Sequence, residues 1–395
     1  MFDIYQYWLT IPLFFAVGAG WFLGRREGRA VSHQPGTSLQ KEYFAGLDFL
    51  LSEKTDEAIE SFIRALEINS DTIPAHIALA KLFRKKGDVE RAIQIHQNLL
   101  ARPDLSRNDF LRIQLALARD YFAAGLFDRA ENLLQEIIEQ RPSQEMRQKV
   151  LTLLTKLYEK EREWEQALLV ARQLAAHETR EIHVELGHYC CELANHDIEQ
   201  HSYRRAKDRL SQALVYDSNS VRATLMKAEI SMVEKNWRAA IKELKLIAQR
   251  DHAFIPETVE KLATCYRQLG QLPELETFLR QCLNRTPSTT VMLALAGRIM
   301  EQQGAYAAGA FITDELKKRP SIKGFNHLID LYIAHAKKGA NESLMVLRGL
   351  TGQLEQSKPI YLCHRCGFSG KTLHWQCPSC QTWGCTKPIQ GLEGE

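Results

Sequence analysis

Apolar and polar positions along this chain fall into three regimes. The first is Ile4 to Leu23 (IYQYWLTIPLFFAVGAGWFL), twenty residues without a charge. At ~1.5 Å rise per residue such a helix spans ~30 Å, the hydrocarbon thickness of a bilayer. Tyr5, Tyr7 and Trp8 sit near one end and Trp21 near the other, where interfacial aromatic belts form. Pro12 would kink the helix, which a bilayer span tolerates. Asp3 precedes the run whereas Arg25, Arg26 and Arg29 follow it, so the positive-inside rule puts the N-terminus outside and the remainder in the cytoplasm. The small residues Ala16 to Gly20 offer a cleavage site for a signal peptide, but a signal peptide carries its positive charge ahead of the apolar run. The order of charges here favours an uncleaved anchor.

The second regime has helical periodicity and repeats itself. Ala58, Ala92, Ala130, Ala167, Ala206 and Ala240 occupy one role, separated by 34, 38, 37, 39 and 34 residues. A period near 34 is that of tetratricopeptide helix–turn–helix units. Other markers fall in phase. Gly87 and Gly125 stand five residues before the alanine, and Phe49, Phe83, Tyr121 and Tyr158 stand nine before it. Gly46, Ala80, Ala118, Ala194 and Ala228 stand twelve before it, and Pro142 closes the third unit. Small residues let the two helices of a hairpin approach closely, while the aromatic fills the gap beside them. Weaker units follow, one marked by Tyr266, Gly270, Leu275 and Pro287, another by Gly297, Gly304, Gly309 and Pro320. A last helical pair, about 325–336 and 340–354, reads as an atypical cap, making eight units plus a cap. Such hairpins stack into a solenoid whose groove is lined by the first helix of each unit. Its inward positions include Lys81, Arg84, Arg119 and Lys156, either a basic stripe for an acidic partner segment or an ordinary solvated face.

The third regime is short and rich in cysteine. Cys363-His364-Arg365-Cys366 and Cys377-Pro378-Ser379-Cys380 are two C-x-x-C knuckles with ten residues between them. Four thiolates at ~2.3 Å make a closed tetrahedral site for zinc, and iron accepts the same soft ligand set. One iron or zinc ion at Cys363, Cys366, Cys377 and Cys380 is therefore expected. Gly367 suits the turn after one knuckle and Pro378 stiffens the other. Tyr361, Phe368 and Trp375 supply a core too small to hold the module without metal. His364 and His374 find no vacancy among four well-spaced cysteines, and Cys385 falls outside the pattern as a bystander. The apolar and aromatic residues Tyr361, Leu362, Leu373 and Trp375 exceed what the module can bury. With so short a linker after Leu354, docking on the helices around 325–354 is expected.

Composition narrows the function. The chain has 395 residues, too long for a single core, with 45% hydrophobic and 25% charged residues, an ordinary globular balance. Fifty-one Lys and Arg against 48 Asp and Glu give +3, without the basic excess of a dedicated nucleic-acid binder. Cys190, Cys191, Cys265 and Cys282 lie scattered in apolar helical patterns and read as buried small hydrophobes, not as a disulfide framework. Free thiolates agree with a reducing cytoplasm. The sequons at Asn284 and Asn341 are then chance matches. No catalytic constellation is present: His183-Val184-Glu185-Leu186-Gly187-His188 departs from the zincin pattern, no phosphate loop or nucleophile elbow occurs, and a closed four-cysteine site leaves no open position. An enzyme is not expected.

The order of anchor, repeats and paired knuckles resembles the lipopolysaccharide assembly protein B family of Gram-negative bacteria. The likeness is carried by 120–131 (DYFAAGLFDRAE), 189–194 (YCCELA), 342–348 (ESLMVLR) and, most of all, the tail from Ser357-Lys358-Pro359 through both knuckles to Lys387-Pro388-Ile389. The knuckles are also similar to those of rubredoxin. The resemblance implies an all-α tetratricopeptide solenoid with an N-terminal transmembrane helix and a small rubredoxin-like metal-binding domain. Its segments are 1–24 for the anchor (span about 4–23), 25–38 for a juxtamembrane linker, 39–356 for repeats and cap, 357–389 for the metal domain and 390–395 for a tail. It further implies an inner-membrane scaffold that works with the membrane-bound protease FtsH to promote degradation of the committed-step lipid A deacetylase. Other lipopolysaccharide assembly and regulatory membrane proteins are implied as partners. Two other classes remain open: an electron carrier with iron at the four cysteines, and a nucleic-acid-binding zinc ribbon using Lys358, Arg365, Lys371 and Lys387.

Overall fold

A computed structural model describes residues 35–68, 72–175, 180–286, 288–335, 341–392 and 394. The expected span at 4–23 and the chain up to 34 lie outside the described residues. Among the described residues no helix is long and apolar enough to cross a membrane.

Eighteen α-helices follow one another in nine pairs among the described residues. Two compact units divide the chain after Leu153. The first holds α1 (Pro35–Leu51) with α2 (Thr55–Ile68), α3 (Ile73–Lys86) with α4 (Val89–Leu100), α5 (Arg107–Ala123) with α6 (Phe127–Glu139), and the start of α7 (Gln144–Glu161). The second continues with α8 (Trp164–Ala175), α9 (Arg180–Glu199) with α10 (Tyr203–Tyr216), α11 (Val221–Val233) with α12 (Trp237–Arg250), and a 3₁₀ turn at His252–Phe254. Then come α13 (Ile255–Leu269) with α14 (Leu272–Arg285), α15 (Thr289–Gln303) with α16 (Ala305–Lys318), and α17 (Ile322–His335) with α18 (Asn341–Ser357). The first helix starts at Pro35, inside the stretch expected as linker. Proline's fixed φ and missing N–H suit the first position of a helix.

The repeat markers act as their chemistry requires. Ala58, Ala92, Ala130, Ala167, Ala206 and Ala240 are all fully buried, as are Ala80, Ala118, Ala194 and Ala228. At Gly46 even a methyl group would stand 3.0 Å from the Phe62 ring, so the first pair closes around a glycine. Between helices the chain needs one residue in the left-handed region, which glycine adopts without a Cβ clash. Gly87, Gly125 and Gly270 take it with φ of 92°, 75° and 69°. Glu53, Arg162, His201 and Lys235 hold the same turn position at 58°, 60°, 57° and 59°, without glycine's freedom. The hydrogen bonds are the same in both cases. Gly87 N donates to Arg84 O and Asp88 N to Phe83 O, while Lys235 N donates to Met232 O and Asn236 N to Ser231 O.

In the first unit, Arg84 is not a free groove cation. It donates at 2.5 Å to Asp120, a fully buried carboxylate that also receives His96. A buried charge needs such partners. Lys81 is exposed. In the second unit one core cluster runs from Val221 to Leu295, and Leu373 and Trp375 of the cysteine-rich module pack against it. Cys190, Cys191, Cys265 and Cys282 are all buried. Burial pushes the Cys190 thiol up to about 11 and the Cys191 thiol up to about 12, so both are inert at neutral pH.

Candidate metal centre

After α18 the chain forms three short antiparallel strands, β1 (Tyr361–Cys363), β2 (Ser369–Gly370) and β3 (Thr386–Pro388), ordered β2-β1-β3. Each C-x-x-C stretch is a tight loop closed by the backbone. Cys363 N donates to Phe368 O and Gly367 N to Cys363 O; in the second knuckle Cys377 N donates to Thr382 O and Gln381 N to Cys377 O. The left-handed position falls on Gly367 at 78° and on Gln381 at 56°. Two near-identical loops thus turn their cysteines toward one another.

The sulfurs of Cys363 and Cys380 lie 3.7 Å apart, as do those of Cys366 and Cys377. An ion bound by four thiolates at ~2.3 Å holds its sulfurs about 3.8 Å apart, so these spacings fit a tetrahedral thiolate site. Cys385, expected as a bystander, instead joins the cluster. Its sulfur is 3.3 Å from that of Cys363, and Cys363, Cys377, Cys380 and Cys385 all lie within 4.8 Å of one another. The thiols are unequal. The Thr382 hydroxyl beside Cys380 brings that thiol down to about 6, whereas burial raises Cys377 to about 11. For Cys363, burial raises the pKa, but the backbone N–H groups of Cys366 and Arg365 together with the Cys385 and Cys366 thiols bring it below the ordinary thiol value. Cysteine sulfurs are soft donors, so a cluster of them suits a soft cation.

The module is docked, but not where the linker length suggested. Trp383 is buried, its indole N–H donates to Glu159 of α7 at 2.7 Å, and its ring stacks on His188 of α9 at 5.0 Å. Trp164 of α8 meets the same indole edge-on. Trp375 lies flat on Phe254 of the 3₁₀ turn at 5.6 Å, so it belongs to the dock more than to the module's own core. Tyr361 donates its hydroxyl proton to Glu257 of α13 at 2.6 Å, and Lys387 pairs with Asp251 at 2.7 Å. Arg222 of α11, held by Glu192, spreads its guanidinium over Trp375 and Trp383. The expected dock around 325–354 is therefore corrected to α7 through α13. The aromatic faces that can take two indoles are there, whereas α18 leaves Met345, Val346 and Leu350 exposed to water.

Burial and the Arg222 charge hold His188 down to about 3, so it stays neutral beneath the indole. Burial and nearby Glu159 push Glu185 up to about 7. Neither His188 nor Glu159, Trp164 or Arg222 was marked as functional by the sequence. The only signal was an excess of aromatics in the module; the receiving surface comes from helices far apart in the chain. Of the four basic residues a nucleic-acid site would use, Lys387 is committed to Asp251 and Arg365 donates to Thr382 at 2.7 Å. Between module and helices runs a cleft of about 1020 Å³, lined by Glu163, Glu165, Glu192, Glu199, Arg205 and Gln376 among others.

Comparison with known proteins matches these parts. Residues 361–388 match the rubredoxin metal binding domain family, and residues 75–108 and 191–253 match tetratricopeptide repeat families. The TPR2AB domain of yeast Sti1, solved in complex with pHSP90, is 17% identical with a TM-score of 0.28, covering 60% of this chain and 100% of that one. Lipopolysaccharide assembly protein B of Haemophilus influenzae is 33% identical over 395 residues, and that of Escherichia coli (strain K12) 36% over 387, each alignment covering 98% of both chains. Alike from end to end, repeats and metal module included, this chain belongs to the lipopolysaccharide assembly protein B family.

Proposed function

We propose that this protein is an adaptor of lipopolysaccharide assembly, anchored in the inner membrane by residues 4–23 with its repeats on the cytoplasmic side. In this reading it brings the committed-step lipid A deacetylase to the protease FtsH and so sets how much precursor enters the pathway. The observation that carries it is end-to-end similarity to relatives named for lipopolysaccharide assembly, over 98% of both chains. The architecture supports it, because stacked helix pairs offer extended surfaces for protein partners. One iron or zinc ion, held by Cys363, Cys366, Cys377 and Cys380, ties the two knuckles together. The ion supplies a structural crosslink; the chain's own work is to seat Trp375 and Trp383 against the helices. Module and repeats then present one continuous surface on either side of the acidic cleft.

The test is the lifetime of the deacetylase in cells. Depleting the adaptor lengthens it several-fold, and crosslinking captures the deacetylase and FtsH on the repeats. A version beginning near Val31 restores little at native expression, because a tether raises the effective concentration toward membrane partners. Unchanged deacetylase turnover on depletion would overturn the proposal.

A further inference from the structure

Five thiols crowd a module whose ion needs four. The one most open to water is Cys366, which is exposed, while Cys363 and Cys377 are buried and Cys380 and Cys385 are half-buried. The four sulfurs that all lie within 4.8 Å of one another are those of Cys363, Cys377, Cys380 and Cys385, with Cys366 outside that set. We infer that Cys385 is a reserve ligand, able to complete a four-thiolate site with Cys363, Cys377 and Cys380 when Cys366 is lost. This rests on the reading of the module as a single-ion thiolate site.

The geometry asks for little movement. Cys363 and Cys385 sulfurs are 3.3 Å apart against the 3.7 Å seen between Cys363 and Cys380, so about 0.4 Å of separation brings Cys385 to ligand spacing from Cys363, and its sulfur already lies within 4.8 Å of those of Cys377 and Cys380. Its thiol meanwhile donates to the Thr382 carbonyl at 3.1 Å, a contact that a χ1 adjustment gives up when the proton leaves for water. The Cys385 backbone does not need to move. It is pinned at the head of β3, where its carbonyl accepts from His364 N at 2.9 Å and Thr386 pairs with Cys363 across the sheet. The preceding turn, Gly384 at φ 65°, sits so close to His188 that a Cβ there would stand 3.2 Å from the imidazole. The dock therefore holds the reserve sulfur in place from outside. A ligand set on backbone this constrained costs little ordering to recruit. An exposed thiolate is the one an oxidant or alkylating agent reaches first, and a spare behind it keeps the fold metal-bound.

The experiment replaces cysteines one at a time in the full chain and reads bound zinc per chain, together with the absorption of the cobalt-substituted protein, which reports the number of thiolate ligands. Cys366→Ser, and separately Cys366→Ala, are expected to keep one ion per chain and a four-thiolate cobalt spectrum, with chelator affinity weakened about tenfold. Cys385→Ser alone leaves all three readouts unchanged. Cys366→Ser combined with Cys385→Ser loses the ion, as does Cys363→Ser combined with Cys385→Ser. A Cys366→Ser protein that is metal-free, or that shows only three thiolates, overturns the reserve role. Retention of a full ion by Cys363→Ser combined with Cys385→Ser instead overturns the underlying four-thiolate reading.

Discussion

The seating of Trp383 is where module and repeats are most strongly joined, and its contribution can be worked out bond by bond. Glu159 receives two donors on one oxygen, the Trp383 indole N–H and the Tyr189 hydroxyl, each at 2.7 Å. A net contribution of about 1.5–3 kcal/mol is usual for a hydrogen bond to a charged group. Trp383→Phe keeps an aromatic ring over His188 but removes the donor, so it should cost about that amount. Trp383→Ala also removes the ring and should cost ~3–5 kcal/mol. Undocking frees the segment after Ser357, so cleavage there by a dilute protease reports the undocked fraction when docking is fast relative to cleavage. With ~1.4 kcal/mol per factor of ten, Trp383→Phe should raise the cleavage rate roughly ten- to a hundredfold. Glu159→Leu, which removes the acceptor altogether, should raise it similarly, and the double variant little further, because the two changes break the same bond. Metal content and helicity of the full chain serve as controls. Strictly additive effects, with a coupling under ~0.5 kcal/mol, would refute the reasoning.

Removal of the ion by chelation, or Cys363→Ser or Cys380→Ser in a chain that also carries Cys385→Ser, should unfold residues 357–389 and leave the repeats helical, read as an unchanged far-ultraviolet signal with red-shifted tryptophan emission. Glu185 is held near 7 in the folded chain against 4.5 when free, so its contribution is present at low pH and lost as pH rises through 7. Glu185→Gln should thus raise stability at pH 8, by ~3 kcal/mol at most, with little effect at pH 5, as followed by denaturant midpoints; an equal gain at both would exclude the assignment. Lys235, exposed and at φ 59°, should give way to glycine with a gain of about 0.5–1 kcal/mol, measured by urea unfolding; a loss would show that its turn is not the strained one.

The repeat register was legible along the chain because a hairpin has one place where only a small side chain fits. Ala58, Ala92, Ala130, Ala167, Ala206 and Ala240 mark that place by their size alone, and every one is fully buried. The knuckles were legible for a similar reason, since the two loops are local and their cysteines meet within twenty residues of sequence. Turns occupied by Glu53, Arg162, His201 and Lys235 carried no such mark, because a non-glycine residue in the left-handed region looks ordinary until its φ is known. The place of Cys385 was hidden because strand pairing, not spacing, brings it beside Cys363. The dock was hidden most thoroughly. Glu159, His188, Arg222 and Phe254 come from four separate elements, each an unremarkable helical or turn residue in its own stretch. Local periodicity determines each helix pair by itself. Only the stacking of those pairs decides which distant side chains converge into a surface that two indoles can enter.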